Sequence, residues 1–125
     1  MKKILIVAAC LAAFAPAAAQ AQNMTVADFL RRSDALSEAR TGPDTPEYQR
    51  LARQLNETAK LARNERRIAR RQNRAPRACL RPGIRATTQS EIFAHLRSIP
   101  AAEAQSLTLH DAYMQLMARK FPCRG

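Results

Sequence analysis

Residues 45–74 decide the fold class, and they read TPEYQRLARQLNETAKLARNERRIARRQNR. The segment opens with Thr45 and Pro46, and proline is favoured at the first position of a helix. Apolar side chains then recur at helical spacing. They are Tyr48, Leu51, Leu55, Ala59 and Ala62. No helix-breaking residue follows before Ala75-Pro76. This stretch therefore predicts one long helix over about residues 46–74.

Three further helices are predicted from the same kind of cap chemistry on either side of this segment. Each begins with a threonine whose hydroxyl can accept from exposed backbone N–H groups, followed three residues later by an acidic residue. The pairs are Thr25 with Asp28, Thr88 with Glu91, and Thr108 with Asp111, and the corresponding stops are Gly42-Pro43, Pro100 and Phe121-Pro122. No stretch alternates convincingly at period two. The sequence therefore predicts an all-α fold, a small bundle of about four helices.

The N-terminus has the three regions of a secretory signal peptide. A basic start, residues 1–3, precedes an apolar run over residues 4–14, and Ala19-Gln20-Ala21 supplies the small-x-small cleavage pattern. The apolar run is shorter than the roughly 20 residues that span a bilayer. Lipidation of Cys10 is the competing interpretation, and it is disfavoured because cleavage there would leave an apolar core of only six residues. We expect a signal peptide over residues 1–21 and a single mature domain over residues 22–125, periplasmic or secreted.

Removal of the signal peptide leaves two cysteines, Cys79 and Cys123. An even cysteine count in an oxidising compartment indicates a disulfide. A thiol nucleophile or a metal ligand is the alternative, but the chain has no Cys-x-x-Cys motif and its two histidines stand apart. We therefore expect one disulfide that closes a loop of 44 residues.

Positive charge is concentrated in one segment. The whole chain carries +11, and residues 50–85 hold twelve Lys and Arg against Glu57 and Glu65. Seven of these cations fall within an arc of roughly 140° on the long helix. They are Lys60, Arg63, Arg66, Arg67, Arg70, Arg71 and Arg74. Such a stripe is either a solvated helix face or an anion-binding surface, since guanidinium groups pair with carboxylate or phosphate. Export disfavours nucleic acid as the ligand, and an acidic protein or an anionic envelope surface fits the compartment better.

No catalytic constellation is recognised in the sequence. His95 follows Glu91 by four residues, and we expect the two to form a pair on the helix surface. His110 precedes Asp111 in the first turn of the last helix, where the helix dipole disfavours an imidazolium, and we expect a capping or surface role. A metal site would need three or four convergent ligands. The sequence therefore predicts a protein that is not an enzyme and has no cofactor or metal site.

The second half of the chain contains a recognisable order of cysteines and turn residues. Cys79 precedes a Pro82-Gly83 turn, a helix ends at Pro100, and a final helix closes in Phe121-Pro122-Cys123. This pattern, over residues 78–123, resembles the C-terminal half of the Rap/Tai family, small periplasmic immunity proteins of type VI secretion systems. The resemblance implies a helical, disulfide-bonded protein that binds and inhibits a peptidoglycan-degrading effector delivered into the periplasm.

Two other functions remain open at the level of sequence. One is a periplasmic stress chaperone, because small helical chaperones of that compartment also combine one disulfide with high charge. The other is a binder of anionic envelope polymers through the arginine-rich helix. We expect the partner to be a protein, with a homodimer left open and nucleic acid disfavoured.

Overall fold

The computed structural model describes residues 23–81, 83 and 85–124 of the chain. The expected signal peptide, its cleavage site and Cys10 lie outside these residues. The described residues form five helices. They are α1 (Val26–Glu38), α2 (Pro46–Arg71), α3 (Gln89–Ser98), α4 (Ala101–Ala104) and α5 (Leu109–Lys120). The predicted all-α fold is confirmed. Within the described part of the chain, none of the helices has the length and apolar character needed to span a bilayer.

The predicted threonine caps lie where the helices begin. The hydroxyl oxygen of Thr108 accepts from the backbone N–H of Asp111 at 3.1 Å. At the start of α3 the box is complete, because Thr88 accepts from the N–H of Glu91 at 3.2 Å while the Glu91 carboxylate accepts from the N–H of Thr88 at 2.8 Å. Thr25 caps α1 in the same way as Thr108 caps α5. At α2 the Thr45 hydroxyl instead donates to the Gly42 carbonyl at 2.9 Å.

The long helix ends at Arg71, three residues before the predicted boundary at 74. Asn73 adopts a left-handed backbone with φ of 51°. The backbone N–H of Arg74 donates to the carbonyl of Ala69 at 2.8 Å, and that of Asn73 donates to Arg70 at 3.2 Å. These two bonds form a Schellman cap, and asparagine tolerates its left-handed position better than most residues do. Arg74 therefore lies outside the helix, and its predicted place on the stripe is wrong.

The short helix α4 has no counterpart among the four predicted helices. It spans four residues after Pro100, and the N–H of Ala104 donates to the Pro100 carbonyl at 2.9 Å. Ala104 is buried with the core residues of α1. Four residues are too few to show a helical period, so the sequence pattern carried no signal for this turn.

Helices α1 and α5 form the centre of the bundle. Their N-termini are held side by side, because the N–H of Val26 donates to the Leu107 carbonyl at 2.9 Å and that of Leu109 donates to Met24 at 2.7 Å. Both α2 and α3 pack on α1 and on α5, whereas no Cα atom of α2 lies within 8 Å of one on α3. This arrangement leaves a gap between α2 and α3.

Two apolar clusters make up the core. The first surrounds α1 and consists of Val26, Phe29, Leu51, Leu96, Ala104, Leu109 and Ala112. The second lies between the C-terminal half of α2, the following loop and α5, and consists of Ala62, Ala78, Tyr113, Met114, Leu116 and Met117. Beside the second cluster, the predicted disulfide joins Cys79 to Cys123 across a Cα–Cα distance of 5.0 Å. The backbone N–H of Cys79 also donates to the Phe121 carbonyl at 2.8 Å, so the loop and the end of α5 are held together twice.

Candidate partner-binding surface

Six of the seven predicted cations share one side of α2 and form what we term the arginine face. They are Lys60, Arg63, Arg66, Arg67, Arg70 and Arg71. Arg66 is half-buried and the other five are exposed. Their position follows from the core contacts of the helix, because the buried residues Ala62 and Ala69 lie on the opposite side. The structure therefore places these six cations on one side of α2, five of them exposed to solvent.

Most cations on this face have no carboxylate partner among the described residues. Lys60 is the exception, since its ammonium lies 2.7 Å from the Glu57 carboxylate. Arg67 donates to the amide oxygen of Asn64, which is neutral. Several arginines outside the face behave differently. Arg50 pairs with Glu47, Arg97 with Asp34, and Arg77 with Glu65 and Asp111. The positive charge of the arginine face is thus left uncompensated by the described residues.

The gap between α2 and α3 is an open groove with a volume of about 870 Å³. Apolar and aromatic side chains form much of its lining. These include Phe29, Leu51, Leu55, Ala59, Ile92, Phe93, Tyr48 and Tyr113. Three arginines, Arg40, Arg63 and Arg97, also border the groove, and none of its lining residues is acidic. Neutral polar side chains complete the lining, namely Ser33, Ser37, Thr41, Asn56, Thr87 and Gln89, so the groove combines apolar and polar surface with positive charge at its border.

The groove and the arginine face lie on the same side of α2. At about 100° per residue, Tyr48, Ala52, Ala59 and Arg63 fall within an arc of about 60°. Arg66 and Arg70, which follow the groove, fall in or at the edge of the same arc. One side of the helix therefore changes from apolar groove wall to arginine face at Arg63. Tyr113 lies beneath this point, and burial raises the pKa of its phenol although the nearby guanidinium groups of Arg63 and Arg66 oppose the change.

An ionic cluster fixes the C-terminal half of α2 against α5 and the loop between them. The Arg77 guanidinium donates to both carboxylate oxygens of Glu65, at 2.8 and 2.9 Å, and to Asp111 at 3.2 Å. Although partial burial works against it, hydrogen bonds from Thr108 and Arg77 keep the pKa of Asp111 below its usual value. His110 is half-buried, with Nε2 lying 3.4 Å from Glu65. His110 thus belongs to the ionic cluster of Arg77, Glu65 and Asp111, instead of the capping or surface role expected from the sequence.

His95 is buried, and the expected surface pair with Glu91 is wrong. Its Nε2 donates to the Ala112 carbonyl at 2.9 Å, and its Nδ1 accepts from the Arg119 guanidinium at 2.7 Å. Burial and, next, the charge of Arg119 lower the pKa of His95. Glu91 instead contacts Lys120 at 2.8 Å and the Thr88 cap, and these contacts lower its pKa to about 2. His95 and Glu91 thus both join α3 to α5, and Glu91 also caps α3.

Across the described ranges, no group of three or more His, Cys, Asp and Glu side chains is arranged to hold a metal ion.

The surface feature that the sequence pattern did not reveal is the groove. The sequence signal for the groove is the change on one side of α2 from Tyr48, Ala52 and Ala59 to arginine. Tyr48 and Ala59 are half-buried at the groove, and Ala59 also packs against the second apolar cluster.

Comparisons with protein-family models, with curated proteins and with solved structures find no match to this chain. The resemblance of the second half to the Rap/Tai family stays a prediction.

Proposed function

We propose that this chain acts by one-to-one binding of an acidic protein in the cell envelope, as an inhibitor of a secreted peptidoglycan hydrolase. The observation that carries the proposal is the arginine face, where five guanidinium groups have no carboxylate partner among the described residues. Such groups favour bidentate pairing with carboxylates. Because they are fixed on one rigid helix, a complementary acidic surface would form several pairs with little loss of backbone freedom.

The position of the face on the molecule supports a protein ligand. No aromatic residue interleaves the cations of the arginine face along α2, which weakens a role in stacking nucleic-acid bases. The adjoining groove offers apolar surface, and protein interfaces combine apolar anchors with charged borders. The expected export signal and the disulfide are consistent with an envelope location. The resemblance to periplasmic immunity proteins supplies the class of partner, a hydrolase that attacks the cell wall.

The test measures binding to a cell-wall hydrolase encoded in the same genome by isothermal titration calorimetry. A variant with Arg67→Glu, Arg70→Glu and Arg71→Glu should lose at least about a hundredfold in affinity, because three favourable charge contacts become repulsive. The matched control reverses Arg81, Arg85 and Arg124, which are exposed cations off the face and, like the arginines of the face, have no carboxylate partner among the described residues. Both variants change the net charge equally, so a purely long-range effect of charge would weaken them equally.

A companion assay exposes cells to the same hydrolase in the periplasm. The full chain should protect, and a chain lacking residues 1–21 should not. Equal loss of affinity in the two triple variants would reject the arginine face as the binding surface. Absence of protection, together with suppression of aggregation of unrelated unfolded proteins, would favour the chaperone alternative instead.

A further inference from the structure

The groove between α2 and α3 has one long wall, formed by α2. This wall extends from Tyr48 to Arg63, and fifteen steps of 1.5 Å along the helix give a length of about 22 Å. This is the length of about four helical turns. Along this wall the small side chains of Ala52 and Ala59 leave room for a second chain to approach α2 closely.

We propose that this groove binds an amphipathic acidic helix contributed by the partner protein, with the apolar stripe of that helix facing α2 and α3. This inference rests on the proposed function and specifies the part of the partner that is recognised. Leu55, Ile92 and Phe93 offer apolar contacts from both walls, and Tyr113 offers one from α5. A helix inserted here would present anchors at positions i, i+3 or i+4, and i+7, as in other helix-in-groove complexes.

The charges at the border of the groove determine the sign of the ligand. Arg40 lies two residues beyond the end of α1, while Arg63 lies at the far end of the α2 wall. Arg97 borders the α3 side, where its guanidinium is paired with Asp34. Because no carboxylate lines the groove, acidic residues flanking an apolar stripe would meet Arg40 and Arg63 without repulsion from the lining residues. A basic amphipathic helix would be disfavoured by the same charges.

The absence of an exposed sheet edge among the described residues favours a helix over an extended peptide. An extended segment satisfies a continuous row of its backbone groups by strand addition, which is possible only where a strand is present. The described residues contain a single isolated bridge, between Thr25 and Thr108, which are not among the groove's lining residues. A helix satisfies its own backbone and needs only apolar contacts and charge pairs from the groove.

The test uses a fluorescein-labelled peptide of about 18 residues, long enough to fill the groove, with leucine at helical spacing and glutamate on both flanks. Fluorescence anisotropy should show saturable binding. A peptide with every glutamate replaced by glutamine should bind at least about tenfold more weakly. A scrambled peptide of the same composition should also bind at least about tenfold more weakly, because it has no apolar stripe.

Two variants of the protein locate the binding site. Ala52→Trp fills the groove without removing a member of either core cluster, and should weaken peptide binding at least about tenfold. Arg63→Glu should weaken it similarly, and it leaves the core intact should the tryptophan variant fail to fold. The matched control is Arg70→Glu, two turns further along α2 and outside the groove. Its effect should stay within about threefold at physiological salt, where the Debye length is about 8 Å.

The possible outcomes separate this inference from the proposed function. Peptide binding that is equal for the glutamate and glutamine peptides, or unchanged in Ala52→Trp, overturns the groove as a site for an acidic helix. Such a result leaves the hydrolase titration with the triple variants unaffected. Conversely, peptide binding that depends on Ala52 and Arg63, together with hydrolase binding that is absent, rejects the proposed partner and retains the groove. Competition by fatty-acid micelles with no dependence on the peptide's glutamates would assign the groove to a lipid chain and overturn the inference.

Discussion

Removal of the disulfide should destabilise the fold chiefly through the unfolded chain. Cys79 and Cys123 are both exposed, so replacing their sulfur atoms by hydroxyls costs little apolar burial. The bond closes a loop with a sequence separation of 44 residues. In the chain-entropy model, a constraint of that length contributes about 4 kcal/mol to the free energy of unfolding. For a domain of this size, that loss lowers the Tm by about 15–30 °C.

The assay is urea unfolding of residues 22–125 and of the double variant Cys79→Ser/Cys123→Ser, each with and without reductant. The double variant should lose about 4 kcal/mol, and reductant should bring the unaltered chain to the same stability. The m-value should rise in the double variant, because its unfolded chain is less compact and exposes more surface. Reductant acting on the double variant is the control and should have no effect.

A stability difference below about 1 kcal/mol would refute the reasoning, since the loop constraint would then be offset elsewhere. A large loss with an unchanged m-value would also contradict it, because the effect would then lie in folded-state contacts rather than in the unfolded chain.

Acidification and a core truncation provide two further tests. Because the pKa of His95 is lowered in the folded protein, the unfolded chain binds a proton at this imidazole more readily. The stability that His95 contributes is therefore full above pH 6.5 and is lost as the pH falls through the folded-state pKa. His95→Gln should flatten the pH dependence of the free energy of unfolding, measured between about pH 7 and pH 5. Leu109 is fully buried, so Leu109→Ala should lower the free energy of unfolding in urea by about 2–5 kcal/mol. Ile68 is 47% exposed, so the control variant Ile68→Ala should lower it by less than about 1 kcal/mol. Equal losses of stability in the two variants would contradict the described core.

The helix starts could be predicted because their determinants are local. Thr88 and Glu91 satisfy each other's exposed backbone N–H groups within four residues, so the sequence pattern already contains the whole interaction. The same holds for Thr108 with Asp111. The disulfide was predictable for a different reason, because the expected mature chain has just two cysteines.

The environment of His95 could not be predicted in this way. Its partners Ala112 and Arg119 are 17 and 24 residues away, and both lie on α5. Only the packing of α5 against α3 brings them to the imidazole, whereas sequence spacing offered Glu91 as the nearest candidate. Glu91 is in turn held by Lys120, a contact that spans 29 residues.

The groove could not be predicted from the sequence, for a geometric reason. Tyr48, Leu55 and Ala59 have the spacing of a core face, and periodicity places apolar residues on one side of a helix without saying what covers that side. In the structure Leu51 and Ala62 are buried on α2, while Tyr48 and Ala59 border the gap next to α3. Whether a half-apolar side is covered depends on where α3 lies, and that is fixed by contacts of α3 with α1 and α5.

In the C-terminal half of α2, the arginine face and the disulfide are physically connected. Beyond Ala62, the side chain of Ala69 is the one further buried apolar contact of the helix, so this half gains little from the hydrophobic effect. Repulsion among adjacent guanidinium groups also opposes its formation. The helix is held there by the pairing of Arg77 with Glu65 and by packing on a loop that the disulfide ties to α5. The described contacts thus hold like charges in a fixed array, an arrangement suited to meeting carboxylates on a partner because its ordering cost is met before binding.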